Sequence, residues 1–140
     1  MKPSGDLIPW NMREQFQDNE FPRLAGGRIV RIATHPSLQK MGYGSKALEQ
    51  LVLFFERKLV LLDDTKEKVD WQFRSADGRV TQPLLKKLEE VEGPSLDYLG
   101  TSFGLTKNLF KFWAKSKFLP VYVRQTRNDI TAEHSCIMLR

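Results

Sequence analysis

The clearest pattern in this chain is a stretch of alternating residues followed by an apolar stripe at helical spacing. Arg28 to Thr34 alternates and is rich in Ile and Val, which predicts a central strand. His35-Pro36 ends it, because a residue before proline avoids the helical region. After Gly44, apolar residues recur every three or four positions, which predicts an amphipathic helix. They are Leu48, Leu51, Val52, Phe55 and Leu59.

The C-terminal half repeats the alternation of strand and helix. Leu96 to Phe103 is predicted to be a strand, Thr106 to cap a helix that runs to Lys117, and Phe118 to Thr126 and Ser135 to Leu139 to be two more strands. The apolar stripe of that helix consists of Leu109, Phe110, Phe112 and Trp113. If Lys117 ends this helix in a left-handed conformation, that conformation would cost about 1 kcal/mol more than with glycine.

Two segments fall outside this pattern. Residues 1–26 are predicted to be an extended entry segment with a short helix around Asn11 to Gln17, which leaves residues 27–140 as the domain. Residues 63–94 are predicted to be a variable insert. It consists of a polar surface loop to Thr81 and a short helix over Gln82 to Val91, stopped by Gly93-Pro94.

Composition limits the class of protein. The 140 residues, 41% of them apolar, suit one domain with an ordinary core. The sequence shows neither a long apolar run nor a signal peptide, so we expect a soluble, intracellular protein without a membrane partner. A single cysteine, Cys136, fits a reducing compartment, and its apolar strand favours buried packing over a nucleophilic role.

The net charge of +5 is concentrated at one end of the chain. All of the excess lies from Leu105 onward, where Lys and Arg outnumber acids. This asymmetry suits a polyanionic partner or cofactor phosphates, and charge alone fits a solvated basic helix face equally well.

Between the predicted strand and helix lies the most informative motif. Gln39-Lys40-Met41-Gly42-Tyr43-Gly44 has the form Gln/Arg-x-x-Gly-x-Gly. Glycines two apart let backbone N–H groups converge on an anion at a helix N-terminus, and a pyrophosphate is the expected guest. The alternative is a tight turn that binds nothing. Neither a P-loop nor a dinucleotide fingerprint fits the spacing.

This strand, loop and helix resemble the acetyl-coenzyme A motif of the Gcn5-related N-acetyltransferases. Further blocks occur in the order seen in RNA cytidine acetyltransferases, and the resemblance covers most of the chain outside residues 58–94. Those blocks include Gly5 to Trp10, Arg28 to Pro36, Met41 to Ser45, Leu96 to Leu105, Phe112-Trp113, Pro120 to Thr126, Asn128-Asp129 and Glu133 to Leu139.

The resemblance implies an α/β fold, a Gcn5-related N-acetyltransferase-like mixed sheet flanked by helices that lacks the first strands. It implies acetyl-CoA as cofactor and N4-acetylcytidine formation in rRNA and tRNA as activity. ATP is expected only at a separate helicase-like domain, and an RNA-binding region is expected as a second flanking partner. We therefore expect an incomplete domain that is inactive alone and able to self-associate, and a nucleolar location if the source is eukaryotic.

The resemblance also assigns site residues. In the family the strand pairs with the pantetheine arm and the loop holds the pyrophosphate, while Trp113 either walls the cofactor channel or packs in the core. The expected cofactor-binding residues are Arg31, Ile32, Ala33, Thr34, Gln39, Lys40, Met41, Gly42, Tyr43, Gly44, Ser45 and Trp113.

Candidate catalytic and RNA-binding residues are fewer. A base must take the proton of the cytosine amine, and of the two histidines His134 is the better candidate, since His35 before Pro36 suits a loop-ordering role. Tyr98 and Tyr122 favour packing over acid catalysis. Lys111, Lys115, Arg124 and Arg127 are expected to line one side of the RNA entrance. The spacing of His and Cys supports no metal site.

Two functions of other classes stay open on sequence alone. A non-catalytic fragment could retain a cofactor-like loop and serve as an interaction piece. A protein lysine acetyltransferase would share the cofactor half but present a peptide groove, and the basic C-terminal end argues mildly against it.

Overall fold

The computed structural model describes residues 6–58, 73–74, 80–81, 91, 93–129 and 132–140. Three helices and six strands form within them, with 3-10 turns at Phe21–Arg23 and Pro36–Leu38. The helices are α1 (Leu7–Phe16), α2 (Tyr43–Phe55) and α3 (Lys107–Lys115). The strands are β1 (Gly26–Ile29), β2 (Phe73–Arg74), β3 (Val80–Thr81), β4 (Tyr98–Gly104), β5 (Leu119–Val123) and β6 (Ser135–Leu139).

Four strands form a mixed sheet in the order β1-β4-β6-β5. β1 and β4 are parallel, with α2 on the connection between them, while β6 is antiparallel to both β4 and β5. The register of β5 shifts between Pro120 and Tyr122, so one residue bulges. Pro120 fits there, because β5 is an edge strand of the described sheet and proline cannot donate to a ladder. The mixed α/β class is therefore confirmed.

Helices cover both faces of this sheet. Residues of β6 alternate between the two faces, because neighbouring side chains of a strand point in opposite directions. Cys136 and Met138 belong to a core with α2 and α3, whereas Ile137 belongs to a second core with Ile8 and Met12 of α1. Cys136 is thus a buried packing residue as predicted, and burial raises the pKa of its thiol.

Local sequence explains the start of α3 and the ends of α2 and α3. The hydroxyl of Thr106 accepts a hydrogen bond from the Leu109 N–H (3.3 Å), which confirms the predicted cap of α3. Lys117 after α3 has φ 65°, so the left-handed conformation expected at this position is present without a glycine. Arg57 has φ 56° just after α2, which therefore ends before Leu59, a residue outside the described part.

Several boundaries differ from the sequence prediction. The entry segment is not mainly extended: α1 begins at Leu7, earlier than the helix expected around Asn11, because Ile8 and Met12 pack against the sheet. β1 begins at Gly26 and ends at Ile29, and it lies at the edge of the described sheet instead of its centre. Leu109 is 41% exposed, so it is not part of the core stripe.

The insert is described only in part. Phe73–Arg74 pairs antiparallel with Val80–Thr81, so two short strands replace part of the loop expected over residues 63–81. The helix predicted over Gln82 to Val91 lies almost wholly outside the described residues. None of the described helices is long and apolar enough to cross a membrane.

The packing of α1 gives a stability prediction. Ile8 is 2% exposed between α1 and the sheet, whereas Phe16 at the end of the same helix is 55% exposed. Ile8→Ala should lower the free energy of unfolding by about 3 kcal/mol through lost burial and a cavity. Phe16→Ala should change it by less than about 0.5 kcal/mol.

Equilibrium urea unfolding measures both variants under the same conditions. Equal effects of the two substitutions would mean that α1 does not pack on the sheet through Ile8.

Candidate functional site

The site begins where strands β1 and β4 stop pairing. Their parallel register runs from Gly26↔Tyr98 to Ile29↔Thr101 and ends there. β4 continues to Gly104 and pairs over Ser102–Gly104 with β6 at its other edge. Residues 30–34 therefore follow β1 without a ladder to β4. Apart from the Thr34 carbonyl, which accepts from the Gln39 side chain, their N–H and C=O groups remain for other partners.

The loop after this segment has two left-handed residues. Lys40 has φ 65° and Gly42 has φ 91°, and Gly42 is the N-cap of α2. A φ of this size is unfavourable for residues with a Cβ, so glycine at position 42 is required by the backbone. Gly42 therefore sets both the end of the loop and the start of α2.

The first turn of α2 presents free donors. No side chain caps this helix, and its first described backbone bond runs from the Lys46 N–H to the Gly42 carbonyl (2.9 Å). The N–H groups of Tyr43, Gly44 and Ser45 therefore have no carbonyl partner within the helix. Together with the positive end of the helix dipole, they make a site for an anion.

The two glycines of the motif have different roles. A Cβ on Gly42 would meet no protein atom within 4 Å, so within the protein the role of this glycine is to adopt the left-handed conformation. A Cβ on Gly44 would lie 3.4 Å from the Phe112 ring and 3.5 Å from the Thr34 hydroxyl. Gly44 therefore allows the first turn of α2 to lie close to both α3 and the segment after β1.

Side-chain contacts order the segment between strand and helix. The Nδ1 atom of His35 lies 2.7 Å from the Ser37 hydroxyl and accepts a weaker hydrogen bond from the Ser37 N–H (3.4 Å). The amide of Gln39 donates to the Thr34 carbonyl at 3.5 Å. His35 thus has the loop-ordering role predicted for it.

Trp113 lies in the core. Its side chain is 3% exposed, and its ring contacts those of Phe103, Phe112 and Phe118. The core interpretation of Trp113 is therefore the correct one, because almost none of its surface could touch a cofactor. The aromatic residue beside the loop is Phe112, which the sequence analysis placed only in the core stripe. Phe112 precedes Trp113 by one residue, so its side chain is rotated by about 100° around α3. This rotation is the feature of the sequence that could have shown that the two rings point in different directions.

The hydrogen bond of His134 is compatible with the role of a base. Its Nδ1 atom lies 2.8 Å from the Arg124 carbonyl oxygen, which can only accept. Nδ1 therefore carries the hydrogen, and Nε2 keeps the lone pair that a base needs. The catalytic role of His134 stays a prediction.

Tyr98 and Tyr122 are half-buried on the α1 side of the sheet, where both pack against the second core. Tyr98 contacts the Phe21 ring at 5.0 Å between centroids. Burial raises the pKa of Tyr98, and the nearby negative charge of Asp6 raises it further. A phenol with a raised pKa stays neutral, which suits the packing role predicted for it.

Two of the four cations proposed for RNA line different clefts. Lys115 lines a groove between α2 and α3, whereas Arg124 lines a cleft beside α1 on the opposite face of the sheet. Lys111 and Arg127 are exposed. RNA binding by each of the four residues stays a prediction. In the described part, no cluster of His, Cys, Asp and Glu could hold a metal ion.

Comparison with known proteins identifies the family. A family model described as GNAT acetyltransferase 2 matches residues 1–140, and the chain belongs to this family. GNAT acetyltransferase domains are acyltransferases that use acetyl-CoA. The structure agrees, with its four-stranded mixed sheet and the helix that follows the glycine loop.

The relatives carry a more specific name. RNA cytidine acetyltransferase of Dictyostelium discoideum is 48% identical over 163 aligned residues, which cover 98% of this chain. The proteins of the same name from Mus musculus and Saccharomyces cerevisiae are 48% and 44% identical over 99% of this chain. The resemblance seen in the sequence is confirmed. The chain spans about 15% of the length of each of these relatives.

Proposed function

We propose that this chain is the acetyl-CoA-binding part of an enzyme that acetylates the N4 amine of cytidine in RNA. One observation carries the proposal: three N–H groups of α2 without helical partners, at a left-handed glycine, lie close to the segment after β1 that has no ladder to β4. The first feature suits a pyrophosphate, and the second suits a ligand with amide groups. Acetyl-CoA carries both.

The loop fits a phosphate group in charge and in space. The N–H groups of Tyr43, Gly44 and Ser45 supply fixed donors, and the position above Gly42 is open. Lys40 is exposed in the loop, whereas Lys46 on α2 is paired with Glu49 at 2.9 Å. Lys40 is therefore the better placed of these two lysines to add charge at the phosphates.

The segment over residues 30–34 fits the rest of the cofactor. An extended backbone with free N–H and C=O groups can hydrogen-bond an amide-containing arm as it would a strand. Arg31 to Thr34 would hold the arm, and the N–H groups there could also donate to the oxygen that becomes negative during acyl transfer. The orientation of the thioester would then come mainly from backbone groups.

The acetyl transfer requires few side chains to act directly. Acetyl transfer forms a C–N bond to N4 and breaks the C–S bond of the thioester, while one proton leaves N4 and one joins the thiolate. A cytosine amine carries no ammonium proton at pH 7 but is a poor nucleophile, so its proton must leave as the bond forms. Nε2 of His134 is the described group best prepared to accept it.

The RNA substrate is supported by the name of the relatives and by the basic C-terminal end of this chain. We propose rRNA and tRNA as the RNA substrates and, in a eukaryote, a nucleolar location. We also propose that the enzyme has helicase-like and RNA-binding domains elsewhere.

Substitutions at Gly42 test the cofactor site. Gly42→Glu should weaken acetyl-CoA binding by at least about 100-fold, because a carboxylate would face the anion among the free N–H groups. Gly42→Ala introduces only backbone strain of about 1 kcal/mol and no contact, so it should weaken binding far less. Calorimetry with acetyl-CoA compares the two. Equal, small effects of both would place the pyrophosphate elsewhere.

Removal of His134 tests the base. His134→Ala in the full-length enzyme should lower turnover by about 100-fold or more while acetyl-CoA and RNA still bind. Glu133→Gln alters the neighbouring exposed side chain as a control. Turnover of His134→Ala within a few-fold of wild type would assign the base to another residue.

A further inference from the structure

A cleft of about 490 Å³ lies between α1 and the sheet, separate from the glycine loop. Trp10 and Asn11 line it from α1, Ser102 from β4, and Tyr122 from β5. Arg124 and Gln125, which follow β5, complete its open end. This volume is in the range of sites that hold small organic groups.

The cleft is next to the point where the β1–β4 pairing ends. Ser102 directly follows Thr101, the last residue of β4 that pairs with β1. Side chains at Thr101 and Ser102 point to opposite faces, because they are neighbours on a strand. The helix α2 with its anion site packs on the face opposite to α1. The cleft and the anion site therefore lie on opposite faces of the sheet, so an acceptor in the cleft would not compete with an anion at α2.

The chemistry of the lining suits a nucleobase. Trp10 and Tyr122 provide aromatic surface, and Arg124 provides a guanidinium at the rim. Unstacked bases in RNA are recognised by stacking on aromatic rings and by hydrogen bonds to their edges, with cations at the phosphates. Among the described residues that line the cleft none is acidic, whereas a lysine ammonium would need such a partner.

The two amide side chains are held in a defined orientation. The Asn11 amide nitrogen donates to the Leu7 carbonyl at 2.7 Å, and that of Gln125 donates to the Val123 carbonyl at 3.2 Å. In both residues the amide oxygen is then the group that remains to accept a hydrogen bond. The N4 amine of cytosine is a donor, and uracil has an acceptor at the same position.

We propose that this cleft binds the cytosine that receives the acetyl group, as a single unstacked nucleotide of an RNA strand. The proposal rests on the proposed function and adds the acceptor site to it. Tyr122 stacks on the base, the amide oxygen of Gln125 accepts from the base edge, and Arg124 binds the adjoining phosphate. A base inside a duplex cannot reach the cleft, so the enzyme acts on unpaired or extruded cytidine.

Variants of the full-length enzyme test the cleft with two separate readouts. The first is the binding of a short single-stranded RNA that carries one cytidine, compared with the same RNA carrying uridine. The second is the binding of acetyl-CoA by calorimetry. Tyr122→Ala should weaken binding of the cytidine RNA by about 10-fold through lost stacking, and Tyr122→Phe, which keeps the ring, should not. Gln125→Ala should weaken it by about 5-fold and reduce the preference for cytidine over uridine.

The control is Gln50→Ala, which removes an exposed amide from α2 and should change neither readout. All variants should bind acetyl-CoA as tightly as wild type. If Tyr122→Ala loses acetyl-CoA binding because it misfolds, the RNA binding of Gln125→Ala tests the cleft instead, since Gln125 is exposed.

Unchanged RNA binding and unchanged cytidine preference in the cleft variants that still bind acetyl-CoA would overturn the acceptor site while the proposed function stands. Cleft variants that impair acetylation of a lysine peptide but not of RNA would overturn it as well. Failure of the wild-type enzyme to bind acetyl-CoA would instead reject the proposed function.

Discussion

The candidate site depends on one constraint, which is that β1 pairs with β4 over only four residue pairs of parallel sheet. The pairing stops at Ile29↔Thr101, although β4 continues along β6. Beyond that point the chain leaves the sheet, is ordered by His35 and Ser37, and enters α2 through the left-handed Gly42. Backbone groups of two kinds, from the unpaired segment after β1 and from a helix N-terminus, therefore lie next to each other.

The rest of the fold fixes this arrangement from both sides. Arg140 at the end of β6 exchanges two backbone hydrogen bonds with Leu99 of β4, each 2.8 Å long. Its guanidinium also donates to the Ser116 carbonyl after α3 and to Glu56 after α2. Hydrogen bonds from Lys58 first and Arg140 second lower the pKa of Glu56. On the other face α1 closes the second core and leaves the cleft beside it, so the two faces can serve different ligands.

The sequence predicts local features of this structure well. The 3.6-residue stripe of α2, the Thr106 cap of α3 and the alternation of β6 each depend on residues close in the chain. The glycine motif likewise predicts a left-handed turn, because a Cβ is unfavourable there.

Features that depend on distant residues were predicted less well. The early start of α1 follows from its contact with β6, and the end of β1 follows from the course of β4. Only the packed helix shows that Trp113 is buried in the core and that Phe112, which also packs on this core, is the ring beside Gly44. Lys115 and Arg124 belong to one basic segment of the sequence, but they line clefts on opposite faces of the sheet.

Hydrogen–deuterium exchange of the full-length protein, measured with and without acetyl-CoA, tests most directly whether these free backbone groups bind the cofactor. Amides that gain a hydrogen-bond partner exchange more slowly. Peptides over residues 30–34 and 42–46 should therefore become protected on addition of acetyl-CoA, while peptides over β6, already paired on both edges, should not change. Protection confined to other segments, with residues 30–34 and 42–46 exchanging as before, would contradict this account of the site.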